Sequence, residues 1–254
     1  MTPAPISPTR IVARSPFWWA VSKGLVLAFT KVWCRLRVEG RANVPATGPV
    51  LLVANHASYL DPPLVGITTR RWVAFLAQAG LARLGPVRWW LRQMGVTLID
   101  RRAPSKEALR LIADCLARGE AVGLFPEGTR SADGSIAPFK NGVEFLVRRT
   151  GASVVPIGLD GASRAFPRGA IFPRPRKLIV RYGEVWPAER VLAPGGIAAL
   201  RARVAELANA PLAEPAAAAG SSRIPDQPEA GRSEPGVQPI AVDPGPKSSA
   251  PGEA

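Results

Sequence analysis

The amino-acid sequence predicts an α/β protein. It reads as a single domain with a largely parallel sheet covered by helices on both faces, preceded by an amphipathic N-terminal helical segment. Two observations carry this reading. Short apolar runs alternate with helical stretches from about Val38 to Trp186, the pattern of strands joined by crossover helices. The chain has 254 residues, 47% of them apolar and 20% charged, which suits a globular domain with a substantial core.

The elements follow in order. "PVLLVANH" (49–56), "RWVAFLA" (71–77), "GVTLID" (95–100), "AVGLFP" (121–126), "ASVVPIGL" (152–159) and "KLIVRYG" (177–183) read as strands, and 62–70, 80–94, 105–118 and 139–150 as helices. Residues 38–210 thus form the folded domain. Residues 211–254 are rich in Pro, Gly, Ser and Ala and hold no aromatic residue, so they are expected to be a disordered tail.

Residues 1–37 are different in kind. "PFWWAVSKGLVLAFTKVW" (16–33) carries lysines at 23 and 31 and is too interrupted to span a bilayer. No small-residue cleavage site follows it, which argues against a signal peptide. On a helical projection Trp18, Leu25, Phe29 and Val32 share a face opposite Lys23, Thr30 and Lys31, while Trp19 and Leu27 spoil the polar side. Two readings are open: a helix packed on the domain's own core, or an interfacial helix in the headgroup layer. The flanking Arg10, Arg14, Arg35 and Arg37 favour the second.

Charge points the same way. The tail holds six carboxylates and three cations, so residues 1–210 carry +17 of a chain whose net charge is +14. So basic a body attracts a polyanion, either nucleic acid or an anionic membrane face. There is no zinc-finger spacing and no RNA-recognition signature, which leaves the membrane as the expected partner and no nucleic acid. Cys34 and Cys115 form no metal or redox spacing, and one histidine makes a poor ligand set, so no metal is expected.

That one histidine is the chemical signal. His56 stands at the carboxyl end of an apolar strand, where open α/β sheets place their sites. Asp61 precedes Pro62 and Pro63, the pattern of an N-cap aspartate with proline at the first helical position. On one helix the pair would point apart; across a turn they meet. The alternative is a satisfied polar histidine beside a structural cap. "GLFPEGTRS" (123–131) ends a second apolar strand in a turn that offers Glu127, Gly128, Thr129 and Arg130. Glycine admits a ligand close to the backbone and arginine gives a planar fork for phosphate, although a local Glu127–Arg130 ion pair is equally open. Arg101 follows a third strand, with a solvated pair to Asp100 as its alternative, and Lys140 stands at a helix entry.

Together "NHASYLD", "GVTLIDR", "FPEGTRS" and "VVPIGL" resemble, in order and spacing, the four blocks of the glycerolipid acyltransferases. The resemblance is strongest to the 1-acylglycerol-3-phosphate (lysophosphatidate) acyltransferases of bacterial type, and covers roughly residues 35 to 190. It implies transfer of an acyl chain from acyl-CoA or acyl carrier protein, a co-substrate rather than a cofactor, to the free hydroxyl of a membrane lipid acceptor, with phosphatidate as product. The His56–Asp61 pair would serve the chemical step, His56 as general base and Asp61 holding it. Glu127, Gly128, Thr129, Arg130, Arg101 and Lys140 would bind the acceptor phosphate, and amides around Gly128 would be candidate oxyanion donors. The site of action implied is the cytoplasmic face of the cell membrane. Relatives often carry lysine after the second strand, where this chain has Gln78. A lyso-ornithine lipid or another lysophospholipid is therefore the alternative acceptor, and a lipid thioesterase the alternative reaction.

Overall fold

A computed structural model describes residues 16–78, 96–99, 105–167, 170 and 172–214. They belong to one compact unit, Met1–Pro215; a second unit, Ala216–Ala254, lies outside the described residues, as does the helix expected over 80–94.

The chain runs α1 (Pro16–Trp33), β1 (Arg37–Glu39), a 3-10 turn (Arg41–Asn43), β2 (Val50–Ala54), α2 (Asp61–Thr68), β3 (Val73–Gln78), β4 (Val96–Ile99) and α3 (Ser105–Ala117). It continues through β5 (Ala121–Leu124), α4 (Gly142–Thr150), β6 (Ser153–Asp160), α5 (Ala162–Ala165), β7 (Ile179–Tyr182), α6 (Ala188–Leu192) and α7 (Gly196–Ala208). The seven strands form one sheet in the order β1-β7-β6-β2-β5-β3-β4. Every pairing is parallel except β6 with β7.

β2 lies at the centre because all five of its residues can be buried. Successive side chains point to opposite faces, so Leu52 enters one apolar layer and Leu51 and Val53 the other. The first layer gathers Leu64 and Val65 of α2 with Val155, Ile157 and Val180. The second gathers Ile112 and Leu116 of α3, Leu146 of α4 and Leu200 and Val204 of α7. The expected α/β class with helices on both faces is the one observed.

Several features escaped the sequence reading, among them the short helix α6 (Ala188–Leu192). The edge strand β1 has only three residues, α5 only four, and α7 ("GIAALRARVAELA") is so rich in alanine that its apolar periodicity is faint. The expected tail boundary also needs correction. Pro211–Ala213 is tied to the domain, with Ile136 N donating to Pro211 O (2.9 Å) and Ala213 N donating to Ile136 O (3.0 Å).

α1 turns much of its polar side inward, although Lys31 is exposed. Ser22 and Thr30 are buried, and Lys23 Nζ donates to Thr69 O (2.7 Å) while lying 4.5 Å over the Trp19 ring. Val26 and Leu27 pack on the first apolar layer. Phe17, Trp18, Val21, Leu25, Phe29, Val32 and Trp33 face outward, with Leu25 68% and Val32 82% exposed. Among the described residues no helix is long and apolar enough to cross a membrane.

Candidate active site

β2 and β5 are neighbours running in the same direction, so the turns that follow them emerge at the same end of the sheet. The first turn holds His56 and Asp61. The second holds Glu127, Gly128, Thr129 and Arg130.

The turn after β2 begins with a side chain that extends the ladder. The Asn55 amide donates to Leu159 O (3.2 Å) and accepts from Leu159 N (2.8 Å), pairing with β6 as a peptide group would. The backbone then leaves the ladder, and His56 stands just beyond the carboxyl end of this central strand. Asp61 Oδ2 accepts three hydrogen bonds: from the Ala57 and Ser58 amides at 2.7 Å each, and from His56 Nδ1 at 2.9 Å. Asp61 is fully buried, whereas the His56 side chain keeps 20% of its surface open. A buried carboxylate on Nδ1 fixes the N–H there and leaves Nε2 as the bare acceptor nitrogen.

Asp61 was expected to cap α2, and its carboxylate does something else. α2 starts at Asp61 itself, with Leu60 as N-cap. Pro62 and Pro63 have no N–H, and Leu64 N already donates to Leu60 O (2.9 Å), so the carboxylate finds no donor ahead of it. It turns back to the amides and imidazole of the preceding turn.

One face of the imidazole lies on Phe125, centroid to centroid 4.4 Å, and Phe125 in turn stacks on Phe75 at 6.3 Å. The stack exists because Gly123 has no side chain: a Cβ there would fall 2.0 Å from the Phe75 ring.

Glu127 also departs from expectation. Its carboxylate is buried and accepts from His56 N (2.7 Å) and Ala137 N (3.1 Å), so both oxygens are engaged by backbone. Burial raises its pKa above the ordinary carboxylate value, against the lowering effect of those two amides. A buried anion spent on amides does not grip a phosphate. It locks the two turns together, as does Ser131 N donating to His56 O (2.7 Å).

The remaining residues of the second turn lie nearer the surface. Gly128 takes a left-handed conformation (φ +73°), and a Cβ there would fall 2.4 Å from Lys140 Nζ, so the lysine lies across the glycine. Gly128 N donates to Phe125 O (3.1 Å), which removes it as an oxyanion donor. Gly128, Thr129 and Lys140 are exposed, and Arg130 is half-buried. The Arg130 guanidinium rests 3.6 Å over the ring of Tyr59, which belongs to the His56 turn. Arg101, Asp100 and the Gln78 side chain lie outside the described residues.

The structure therefore brings together His56, Asp61, Glu127, Gly128, Arg130 and Lys140. Sequence reasoning missed Asn55, Tyr59 and Phe125. The signal for the aromatic pair was present, since each stands within three residues of an expected functional group. Among the described residues no three of His, Cys, Asp and Glu gather as a metal site.

Residues 35–160 match the family model described as Acyltransferase. A chloroplastic 1-acyl-sn-glycerol-3-phosphate acyltransferase of Arabidopsis thaliana is 32% identical over 139 residues, 54% of this chain and 39% of that protein. A lyso-ornithine lipid O-acyltransferase of Pseudomonas aeruginosa is 31% identical over 159 residues, 62% of this chain and 57% of that protein. The chain thus spans two fifths to three fifths of the length of these relatives. The crystal structure of the 1-acyl-sn-glycerophosphate acyltransferase from Thermotoga maritima is similar with a TM-score of 0.57 at 27% identity, covering 74% of this chain and 79% of that one.

Proposed function

We propose that this chain, similar over residues 35–160 to the acyltransferase family, transfers an acyl chain from an acyl thioester to the free hydroxyl of lysophosphatidate, giving phosphatidate. The donor is acyl-CoA or acyl carrier protein. The observation that carries the reading is the His56–Asp61 pair: a partly open imidazole at a strand end, its Nδ1 held at 2.9 Å by a fully buried carboxylate.

His56 Nε2 takes the proton of the acceptor hydroxyl as its oxygen attacks the thioester carbonyl. The tetrahedral intermediate collapses with loss of the thiolate, which receives the proton back from the imidazolium. Asp61 holds the tautomer and stabilises the charged ring. No acyl-enzyme is needed: the Ser58 hydroxyl donates to Phe166 O (2.9 Å) and serves structure. Arg130 and Lys140 bind the acceptor phosphate as cations, with Arg101 as a further candidate.

The acceptor is a membrane lipid, so the enzyme must reach a leaflet. The outward stripe of α1 and the basic body favour a peripheral position on anionic lipid, at the cytoplasmic face of the cell membrane. A lyso-ornithine lipid is the second reading, supported by the Pseudomonas aeruginosa relative and by Gln78.

The test measures thiol release from a long-chain acyl-CoA, with product lipid identified by mass. Release should require both lysophosphatidate and His56, and His56→Ala should abolish it. Release without acceptor would make the protein a thioesterase. Release only with lyso-ornithine lipid would establish the second reading.

A further inference from the structure

We propose that the segment 172–177 is a second membrane-contacting element, in which Phe172 enters the interfacial layer beside α1 and Arg174, Arg176 and Lys177 meet anionic headgroups. The inference rests on the proposed membrane position of α1 and adds an element remote in sequence.

The segment is fastened to the carboxyl end of α1. Trp33 Nε1 donates to Pro173 O (2.8 Å), Leu178 N donates to Cys34 O (3.1 Å), and Arg174 N donates to Ala165 O (2.7 Å). These bonds hold Phe172 with its edge against two rings of the helix, Phe29 at 6.0 Å and Trp33 at 5.9 Å. Phe29 and Trp33 stack on one another at 6.2 Å. The outcome is one aromatic cluster drawn from two distant segments, and it stays open. Phe172 is 60% exposed, and the neighbouring Val32 82%.

An aromatic cluster that makes its own contacts yet remains uncovered needs an apolar surface to complete it. The charges beside it say which. Arg174, Arg176 and Lys177 are exposed, as are Arg35 and Arg37 just beyond α1. Aromatic rings ringed by arginine and lysine suit the boundary of an anionic leaflet, where rings enter the interface and cations stay with the headgroups. A second copy of the chain would set this basic rim against itself.

The segment also leads to the site. Arg174 N is tied to Ala165 O, and the adjoining Phe166 accepts the Ser58 hydroxyl at its carbonyl, between His56 and Asp61, with its ring 6.4 Å from Tyr59. Contact at Phe172 therefore sets the catalytic turn close to the leaflet that carries the acceptor.

Both native cysteines are buried, and burial pushes the Cys115 thiol up to about 11, so an added surface cysteine can be labelled alone. An environment-sensitive dye is placed by Phe172→Cys, by Leu25→Cys on α1 and by Arg148→Cys on the exposed face of α4. Each labelled protein is mixed with phosphatidylcholine–phosphatidylglycerol vesicles after its melting temperature is checked against wild type. The dyes at 172 and 25 should both shift to the blue and be quenched by lipid-borne quenchers, while the dye at 148 stays unchanged. In the unlabelled protein, Phe172→Ala should lower partitioning onto these vesicles by about tenfold, and reversing Arg174, Arg176 and Lys177 by about fivefold per cation. A shift at 25 without one at 172 overturns the proposal and leaves the membrane reading of α1 standing. No shift at either overturns both. A response at 172 to acyl carrier protein but not to vesicles assigns the segment to a protein partner and overturns the proposal.

Discussion

The turn after β2 and the turn after β5 emerge side by side from one end of the sheet, yet they are built on opposite plans. In the first, Asp61 gathers two amides and the imidazole onto one oxygen, Asn55 ties the strand end to β6, and an aromatic stack backs the ring. In the second, Gly128, Thr129 and Lys140 are exposed, and the half-buried Arg130 guanidinium lies over the Tyr59 ring. Proton transfer tolerates little error in geometry, whereas a phosphate gripped by cations can be met over a wider range. Under the proposed function the contrast is between a preorganised base and an adaptable binding edge, and substitutions in the two turns should fail in different ways.

The largest effect is expected at Asp61. Asp61→Asn keeps an oxygen for the Ala57 and Ser58 amides but sets an NH2 or a weaker acceptor against His56 Nδ1, favouring the wrong tautomer. By analogy with the serine-protease triad, kcat should fall about 10³–10⁴-fold with acceptor KM little changed. Steady-state kinetics at saturating donor checks this, and kcat within a few-fold of wild type would remove Asp61 from the chemical step.

Next comes Glu127, which joins the two plans. A glutamine has one oxygen where the carboxylate has two, so either the His56 or the Ala137 amide loses its acceptor. Glu127→Gln should cost about 1–3 kcal/mol of stability and lower kcat by displacing His56, with less effect on acceptor KM. The pH dependence has a definite sign. Burial raises the folded pKa above 4.5, so the native state keeps a proton that the unfolded chain has released. Stability from this group is therefore greatest at low pH and declines as pH rises from about 4.5 to the folded value. Glu127→Gln should lack that decline in denaturant titrations taken across the acid range, and an identical profile in both proteins would refute the buried charge.

The binding edge should respond in KM. Arg130→Ala is expected to raise the KM for lysophosphatidate about tenfold or more with kcat nearly kept, the usual magnitude for losing a charge-assisted contact. Tyr59→Ala, which removes the platform under the guanidinium, should raise it only a few-fold, in line with an exposed cation–π contact. Tyr59→Phe should behave as wild type. If Tyr59→Ala lowers kcat instead, the ring belongs to the catalytic turn and not to the binding edge.

Much of this was legible in the sequence for physical reasons. Unbroken apolar runs such as "VLLVA" can only be central strands, and strands followed by polar turns announce where a parallel sheet presents its chemistry. His56 and Asp61 could be paired because a turn between them was the one way to bring them together. Directions of side chains were not legible. Nothing in "FPEGTR" says that Glu127 points at the amides of His56 and Ala137 while Arg130 points across to Tyr59, because both choices depend on the turn after β2, distant in sequence. Asn55 is similar: its partner is set by the order of strands, which alternation of elements does not reveal.

The tail boundary sharpens the same comparison at its weakest point. Composition put the end of the domain at Ala210, because proline and alanine after it offer nothing to bury. The backbone decides otherwise. Pro211 and Ala213 complete the hydrogen bonds of Ile136, and Arg201 donates to the carbonyls of Ile136, Ala137 and Ala213. Ala137 is the residue whose amide holds Glu127, so this short bridge braces the carboxylate that locks the two turns together. A chain ending after Glu214 should keep its melting temperature and activity. One ending after Ala210 leaves the Ile136 N–H without its acceptor and Arg201 without the Ala213 carbonyl, and should melt about 2–8 °C lower, with a modest loss in kcat rather than in acceptor KM. Equal melting temperatures for the two truncations would show that the bridge contributes nothing, and that the rigidity of the His56 turn is set within the sheet alone.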